Sequence, residues 1–321
     1  MKSTGDRPSF CLEVWGTDYT KIKDTCIVAE KLGYNGFFYG ESLSDIDLDC
    51  WTVLSNLSAL TTDIKLGPVI TYLIPEYRSI ALLAKQAFTL QGISNGRLEF
   101  RTGAGAAPQW ALPWWHPYGI EYPNNAERIS MLEEGLALLH KLWKKGCDDA
   151  EALVQFSGKY FKLNSASLNK PSKNIPITVA AMKKKTMRLA AKYADVWEAS
   201  YIAPQEFVSL NKKFEEDKNS IPYKYIKQDC VRKNAVKKSI ELDVIIAESD
   251  SDLEHKKKLF TKERGAAISQ KVFRYGLVGR PCTIAERLIE YREAGVDQFL
   301  LAFQEPFDLK ALESFKEASR K

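Results

Sequence analysis

Residues 64–108 restrict the possible folds of this chain more than any other stretch. An apolar run is followed by a polar loop, by apolar residues at helical spacing, and by a Ser-Asn-Gly turn that leads into a second strand. That strand ends in a loop with almost no side-chain bulk, Gly103-Ala104-Gly105-Ala106-Ala107. The pattern predicts one β-α-β unit, with room for a flat ligand against the bare backbone at its end.

The alternation of strand and helix continues along the chain. Strand-like segments occur at residues 10–15, 36–40, 64–70, 97–101, 175–180, 195–200, 240–247 and 296–303, and a helical pattern follows each one. Because such alternation joins parallel strands through right-handed crossovers, we expect an α/β fold, a (β/α)8 TIM barrel with insertions at its C-terminal face. No Gly-x-Gly-x-x-Gly motif opens the first helix, so an open dinucleotide-binding sheet fits less well.

Three segments interrupt the alternation. We expect a single barrel domain over residues 1–321, with excursions near residues 106–124, 146–175 and 218–240. In the second excursion, residues 156–161 resemble a small hairpin. Barrels differ in substrate through such loops, so the sequence leaves the substrate open.

Composition and charge are those of an ordinary globular protein. The chain of 321 residues carries a formal net charge of +5, and its lysine clusters lack the interleaved aromatic residues of a nucleic-acid-binding module. The six cysteines are scattered without a Cys-x-x-Cys pair, which argues against a disulfide framework or a metal site. No apolar run approaches the roughly 18 residues needed to cross a bilayer. We therefore expect a soluble, cytoplasmic protein without nucleic-acid or membrane partners.

Two acidic residues lie where chemistry is expected in a barrel, near the C-terminal ends of the strands. Glu41 ends the second strand and is a candidate acid or base, or else part of a loop salt bridge. Glu13 lies within the apolar first strand and requires a partner, for which Arg101 is the natural candidate. A Glu13–Arg101 or Glu99–Arg101 pair, which Asp243 would extend, is either structural or positions a substrate and tunes proton transfer.

One of the three histidines lies near the predicted mouth. His116 follows the glycine loop and is a candidate proton donor, or else a packed or exposed loop residue. Its aromatic neighbours, which would wall a hydrophobic pocket, are Trp114, Trp115 and Tyr118. His140 on a helix and His255 among lysines are expected to be exposed.

Six segments carry a family resemblance as a set, at residues 29–34, 37–41, 57–105, 128–134, 175–197 and 278–301. Together they resemble the luciferase-like monooxygenase superfamily, whose barrels bind FMN or the deazaflavin F420. The sequence LGPVIT at residues 66–71 resembles the F420-dependent methylenetetrahydromethanopterin reductases more than the luciferases themselves. The resemblance implies an oxidoreductase that binds F420, or alternatively FMN, acts on a small organic molecule and forms a homodimer.

The resemblance also implies where the cofactor binds. The third strand would end in a bulge, often with a cis peptide, that presses on the ring from behind. The phosphate would lie at a helix N-terminus, where backbone N–H groups and lysines favour an anion, although these lysines would also suit a solvated surface. The residues concerned are Val69, Ile70 and Thr71 behind the ring, Gly103, Ala104 and Gly105 at its edge, and Ala180, Ala181, Met182, Lys183 and Ser200 around the phosphate.

The chain departs from the family pattern at three places. Ser42 stands where members often carry a catalytic histidine, and Ala106 replaces a glutamate of the F420-dependent sugar-phosphate dehydrogenases, so that activity is not expected. The fourth strand, usually apolar, carries Glu99 and Arg101. Three functions stay open: hydride transfer between F420 and an organic substrate, FMN-dependent oxygenation of an aldehyde, alkane or sulfonate, and flavin binding without turnover.

Overall fold

The computed structural model describes residues 7–143, 153–168, 173–220 and 235–320. Its strands are β1 (Ser9–Val14), β2 (Gly36–Gly40), β3 (Lys65–Val69), β4 (Phe100–Gly103), β5 (Val154–Ser157), β6 (Lys162–Ala166), β7 (Ile177–Ala180), β8 (Val196–Ser200), β9 (Lys237–Ile246), β10 (Leu277–Gly279) and β11 (Gln298–Phe303). Its helices are α1 (Tyr19–Leu32), α2 (Cys50–Leu60), α3 (Ile80–Ile93), α4 (Pro108–Trp115), α5 (Asn125–Trp143), α6 (Lys184–Tyr193), α7 (Pro204–Asn219), α8 (Asp250–Arg264), α9 (Ala266–Tyr275), α10 (Pro281–Glu293) and α11 (Leu309–Ala318).

Parallel strands form a closed barrel in chain order. They are β1, β2, β3, β4, β7, β8, β9 and β11, and β11 pairs in parallel with β1. The seam between β3 and β4 has separate backbone hydrogen bonds in place of a continuous ladder. The N–H of Leu66 donates to the carbonyl of Arg97 (3.0 Å), and the N–H of Thr71 donates to the carbonyl of Arg101 (3.0 Å). These bonds close the ring and confirm the predicted (β/α)8 fold.

Side chains alternate between the two faces of the barrel wall. In β1, Phe10 and Leu12 pack in the main apolar core together with the surrounding helices. Cys11 packs in a separate cluster with Phe38 and Leu300, inside the barrel. The residues of β1 that share the orientation of Cys11 therefore face the lumen, and so do their counterparts on the other strands.

Short polar residues set the beginnings of the first three helices. Asp18, Asp49 and Ser79 each accept a hydrogen bond from a backbone N–H in the first turn of α1, α2 and α3. Gly33 ends α1 with φ of 80°, a left-handed conformation that glycine adopts without a steric penalty. The chain can therefore turn at once into β2.

The fourth strand begins later than the predicted residues 97–101. Arg97 explains the difference, because its guanidinium donates to the carbonyls of Ser58 (2.7 Å) and Ile64 (2.9 Å) and fixes the turn that precedes the strand. Glu99 contacts β3 through a single hydrogen bond from its N–H to the carbonyl of Leu66 (2.9 Å). Regular pairing with β7 then runs from Phe100 to Gly103.

The region before the last helix–strand repeat is more complex than predicted. Only a helix beginning near residue 250 was expected, but α8 ends at Gly265, where φ is 83°, and α9 follows directly. The short strand β10 then pairs with the last residues of β9. Gly265 is the only sequence signal for the break between α8 and α9, and the many charged residues of α8 give no further indication of where that helix ends.

The excursions differ in how much the structure describes. The first contains α4 and the 3₁₀ segment His116–Tyr118. The second contains the antiparallel hairpin of β5 and β6, as predicted. Most of the third excursion, residues 221–234, lies outside the described residues. Cys147 and Cys230 also lie outside them.

His140 is buried, contrary to the prediction that it is exposed. Only 4% of its surface is accessible, and its Nε2 lies 3.0 Å from the carbonyl oxygen of Tyr193 at the end of α6. The apolar face of α5 is wider than its leucines alone indicate, because this helix packs against both α3 and α6. His255 is exposed, as expected.

Candidate active site

The C-terminal ends of β3, β4 and β7 meet at a bare surface in the barrel mouth. A Cβ added to Gly103 would lie 3.1 Å from Ile70 Cδ1 and 3.3 Å from the Cβ of Ala180. The peptide bond between Val69 and Ile70 is cis, as the resemblance implies, and Thr71 after it is buried in the seam. The structure therefore brings together the residues predicted to line the rear and the edge of a ring.

The glycine loop is held in place from the side of α5. Arg128 Nε donates to the carbonyl of Ala104 (2.8 Å), and the Tyr122 hydroxyl donates to the carbonyl of Ala106 (2.9 Å). The guanidinium of Arg128 lies 4.2 Å from the centre of the Tyr122 ring. Gly105 has φ of 83°, and a Cβ there would collide with the Tyr122 hydroxyl. The sequence pattern around Arg128 indicates no such contact, which becomes visible only through the burial of this side chain in the structure.

Aromatic rings form one wall beside the loop. The ring of Trp115 lies 5.1 Å from that of Tyr72 and 4.8 Å from that of Tyr77. Trp114 approaches Trp15 of the segment after β1, with ring centres 6.3 Å apart. Trp114 and Trp115 therefore pack where a hydrophobic wall was predicted.

His116 and Tyr118 lie at the surface. Both belong to the exposed 3₁₀ segment, and 50% of the Tyr118 surface is accessible. Tyr118 thus contributes less to the wall than predicted, because the segment turns outward at Gly119, where φ is 70°. The role of His116 as a proton donor stays a prediction.

Charged side chains fill the lumen below the mouth. Arg101 donates through Nη1 to Glu99 (2.8 Å) and through Nη2 to Glu198 (2.6 Å), and all three side chains are buried. Lys65 Nζ lies 3.2 Å from the second oxygen of Glu99. We call Lys65, Glu99, Arg101 and Glu198 the lumen quartet. Its two cations and two anions balance each other.

Neutral donors complete the quartet. The Thr178 hydroxyl (2.8 Å) and the Gln298 amide (3.1 Å) donate to Glu99, and the Ser239 hydroxyl donates to Glu198 (2.8 Å). Burial alone would raise the pKa of Glu99, but Lys65, the neighbouring guanidinium and the two donors lower it to about 2. Glu99 is therefore a fixed anion, and it has no proton to give at neutral pH.

Glu13 faces the lumen, but the prediction that it forms an ion pair with Arg101 is wrong. Glu99 and Glu198 already occupy the guanidinium, whereas Glu13 accepts a hydrogen bond from Trp15 Nε1 (2.9 Å) and lies near the carboxyl group of Glu241. The expected Glu99–Arg101 pair is confirmed. The sequence offered the same signal for Glu198 and Glu241 as for Glu13, an acid within an apolar strand.

Asp243 was expected to extend the network around Arg101, but it has a different partner. Its carboxylate accepts a hydrogen bond from the Tyr275 hydroxyl at the end of α9. The unpredicted strand β10 brings α9 close to the end of β9, and this position supplies a partner that the sequence did not reveal.

Glu41 lies at the end of β2 on the side that faces the helices. Its carboxylate pairs with Arg78 (2.7 Å) and accepts a hydrogen bond from Trp51 Nε1 of α2 (3.3 Å). Burial raises the pKa of Glu41 to about 7, even though Arg78 opposes the shift. A carboxyl group with this pKa can exchange a proton near neutral pH, and a catalytic role for Glu41 stays a prediction.

The segment between β7 and α6 is anchored to β8. The N–H of Ala181 donates to the carbonyl of Glu198 (2.9 Å), and the N–H of Ser200 lies 3.3 Å from Met182 Sδ. Lys183 precedes the first turn of α6 and is exposed together with the two lysines that follow. The structure thus brings Met182 and Ser200 together beside a helix N-terminus.

The barrel and its mouth have counterparts among known proteins. Residues 8–216 match the family of luciferase-like monooxygenases. The chain belongs to this family.

Named relatives of this luciferase-like chain include two kinds of oxidoreductase. Pyrimidine monooxygenase RutA of Rhizobium rhizogenes is 28% identical over 187 residues, which are 54% of this chain and 47% of that protein. F420-dependent glucose-6-phosphate dehydrogenase of Nakamurella multipartita is 27% identical over 184 residues, which are 55% of this chain and 50% of that protein. The chain spans about half the length of the curated relatives it matches.

Solved structures share the luciferase-like fold over nearly the whole chain. An F420-dependent secondary alcohol dehydrogenase, bound to an F420-acetone adduct, superposes with a TM-score of 0.80 at 18% identity and covers 98% of this chain and 100% of its own. The EDTA monooxygenase of Chelativorans sp. BNC1 has a TM-score of 0.77 at 15% identity and covers 98% of this chain and 92% of its own. At these identities the likeness shows the fold alone.

The residues of the mouth fit the flavin-type cofactor that the luciferase-like family implies. The backbone at Gly103 is bare where a single added carbon would crowd Ile70 and Ala180, so a planar ring can approach the strand ends closely. Within the described ranges, no cluster of His, Cys, Asp and Glu is arranged to hold a metal ion. No helix among the described residues has the length and apolar character that spanning a membrane requires.

Proposed function

We propose that this luciferase-like chain is an oxidoreductase that binds F420 in the barrel mouth and transfers a hydride between F420 and a small organic substrate. The observation that carries the proposal is the bare backbone of Gly103 between Ile70 and Ala180. The resemblance of residues 66–71 to F420-dependent reductases favours F420 over FMN. The cofactor supplies the hydride chemistry, while the protein orients the reactants, excludes water and moves one proton.

The proposed binding residues surround the mouth at the ends of four strands. Val69, Ile70 and Thr71 would support the rear of the ring, and Gly103, Ala104 and Gly105 would meet its edge. Ala180, Ala181, Met182, Lys183 and Ser200 would hold the phosphate, supported by the N-terminus of α6 and its exposed lysines.

The three candidate acids differ in how well their positions suit the reaction. Glu13 faces the lumen below the mouth, which supports a role close to the reactants. Glu41 packs against Trp51 and Arg78 on the helix side, so it would act from behind the strand end. His116 lies in the exposed segment after α4, where it would reach a substrate only from the solvent side.

A second candidate function is an FMN-dependent monooxygenase that acts with O2 on an aldehyde, alkane or sulfonate. The similarity to RutA pyrimidine monooxygenases favours it. Flavin binding without turnover is a third candidate, because Ser42 replaces the expected histidine and its hydroxyl donates to Asp47 (2.8 Å) within the loop.

Titration of the purified protein with F420 and separately with FMN, followed by cofactor fluorescence, tests the proposal. We expect F420 to bind and to undergo reduction or oxidation in the presence of alcohols, carbonyl compounds or imines without oxygen consumption. Binding of FMN with oxygen consumption would favour the monooxygenase. Binding without turnover would favour the third candidate, and binding of neither would overturn all three.

We also propose that residues 1–321 form one domain and that the protein acts as a cytoplasmic homodimer. The family resemblance supports the dimer, and the burial of the unpaired Cys11, Cys26 and Cys50 suits a reducing compartment. Sedimentation equilibrium of the purified protein would return twice the chain mass if the dimer forms.

A further inference from the structure

Two carboxyl groups meet inside the barrel, directly below the mouth. Glu13 on β1 and Glu241 on β9 lie on either side of β11, and they pair in register with Ala302 and Leu300 of that strand. Burial raises the pKa of Glu241 well above its ordinary value, and the nearby charge of Glu13 raises it further, so the two carboxyl groups interact electrostatically. The small side chain of Ala302 leaves the space in which they meet.

The contacts around the pair leave one carboxyl oxygen in need of a donor. Trp15 Nε1 donates to one oxygen of Glu13 (2.9 Å), but the other oxygen, Oε2, is buried without a hydrogen-bond donor. Glu241 accepts a hydrogen bond from the hydroxyl of Tyr201. Two ionised carboxylates would repel each other at this contact, whereas one shared proton supplies the missing donor.

The lumen quartet cannot neutralise both acids. Its Lys65 and Arg101 are already balanced by Glu99 and Glu198, so neither of these two cations is left to pair with Glu13 or Glu241. Burial is the main cause that raises the pKa of Glu13 and that of Glu241. The charge of Glu198 raises both pKa values further, and the charge of Glu13 raises that of Glu241. The groups that face the pair are Arg101, Glu198, Ser200, Trp15 and Tyr201, with Asp243 and Tyr275 beyond.

A route leads from the pair to the mouth. The Tyr201 hydroxyl donates to Glu241, while 43% of the Tyr201 surface is accessible. Tyr201 follows β8 directly and has φ of 58°, a left-handed conformation that is uncommon for a residue with a bulky side chain. The turn therefore places a phenol between the two acids and the surface.

We propose that Glu13 and Glu241 hold one proton in common and deliver it to the substrate during hydride transfer, with Tyr201 positioned to restore it from solvent. The second part rests on the proposed function. In the reductive direction, the carbon of a C=O or C=N bond gains the hydride with its electron pair. The oxygen or nitrogen gains the proton of the pair, which is left with two ionised carboxylates until solvent returns one proton. The inference assigns a role to Glu241 and places the substrate among compounds with a polar double bond.

Infrared spectroscopy of the cofactor-free protein tests the shared proton. At a pH about two units above 7, Glu41 would be ionised by roughly 100 to 1, so a remaining C=O stretching band of a protonated carboxyl group would report on more strongly held protons. We expect the band in the wild type and in the control Asp243→Asn. We expect its loss in Glu13→Gln and in Glu241→Gln. A spectrum that neither of these two variants changes would overturn the shared proton.

Single-turnover hydride transfer tests the delivery of the proton. In Glu241→Gln we expect transfer to slow by about 100-fold, with F420 affinity and the melting temperature close to those of Asp243→Asn. The wild-type rate should fall as the pH rises and the pair loses its proton, and this dependence should vanish in the variant. An unchanged rate in Glu241→Gln with bound F420 would overturn the delivery role. If neither cofactor binds while the infrared band is present, the proposed function fails and the shared proton stands.

Discussion

Arg101 and Glu198 form an ion pair across the barrel lumen, with Nη2 of the guanidinium 2.6 Å from Oε1 of the carboxylate and at most 1% of either side chain exposed. The two residues lie on β4 and β8, with β7 between them. The ring of Phe38 covers the guanidinium at 4.3 Å. A charge in this position is stable only while its partner is present.

Replacement of Arg101 by methionine should therefore lower the free energy of unfolding by about 3 to 5 kcal/mol, because Glu198 would remain buried without a cation and Glu99 would keep only Lys65. Urea unfolding followed by circular dichroism measures the change. The matched control is Arg274→Met, since Arg274 pairs with Glu206 at 3.1 Å but is 58% exposed. The control should lose less than about 1 kcal/mol.

The double variant Arg101→Met with Glu198→Gln separates charge balance from packing. It removes one cation and one anion, so Lys65 and Glu99 remain as a pair. We expect it to recover at least half of the stability that the single variant loses. Equal instability of the two variants would show that the loss comes from packing of the guanidinium.

The pH dependence of stability should report on Glu41. Burial raises its pKa from the ordinary value of 4.5 to about 7, so between these values the folded protein binds a proton that the unfolded chain releases. The free energy of unfolding should therefore fall as the pH rises through this window, with a contribution from Glu41 of about 3 kcal/mol. Glu41→Gln should remove this share of the slope, as measured by urea unfolding at several pH values. The control is Glu121→Gln, a change at an exposed loop carboxylate that should leave the slope as it is.

Replacement of Gly103 by valine should abolish F420 binding and leave the far-ultraviolet circular dichroism intact. The added carbons would fill the space between Ile70 and Ala180 that the ring requires. Gly92→Val is the matched control, because Gly92 is an exposed glycine of α3 with open space around it. Fluorescence titration gives both affinities. Unaltered binding by the Gly103 variant would mean that the ring lies elsewhere.

Replacement of Arg128 by methionine should loosen the glycine loop. The carbonyls of Ala104 and Pro123 would lose their charged donor, which should cost about 1 to 3 kcal/mol of stability and weaken F420 binding by about tenfold. Thermal unfolding and fluorescence titration measure the two effects. Arg188→Met, a change at an exposed arginine of α6, is the control and should alter neither.

The order of the barrel strands could be predicted because hydrophobic periodicity is a local property. Apolar alternation identified all eight barrel strands, and Asp18 and Gly33 marked the limits of α1. The limits of β4 could not be predicted, because they depend on the contacts of Arg97 with Ser58 in α2 and with Ile64 just before β3. The break between α8 and α9 at Gly265 could not be predicted either, because a single glycine in a charged helical stretch can lie inside a helix as well as end one.

The lining of the mouth was visible in the sequence, whereas the pairing of the charges was not. Small residues at strand ends, such as Gly103 and Ala180, predict a bare surface without any knowledge of register. Which charged side chains pair across the lumen depends on the position of each residue along the barrel axis. Two acids flank Arg101 more closely than Glu13 does, and only the closed barrel shows which they are.

The lumen quartet also connects the base of the barrel, where the strands begin, to the chemistry proposed for the mouth. Lys65 is 39% exposed at the base, and its charge acts on Glu99 and through it on Arg101 and Glu198, which in turn influence the proton affinity of Glu13. In most barrels of this kind the base serves stability alone. Here the lumen quartet joins the two ends of the barrel. A change of charge at Lys65 can therefore alter the pKa of Glu13 from the opposite side of the molecule.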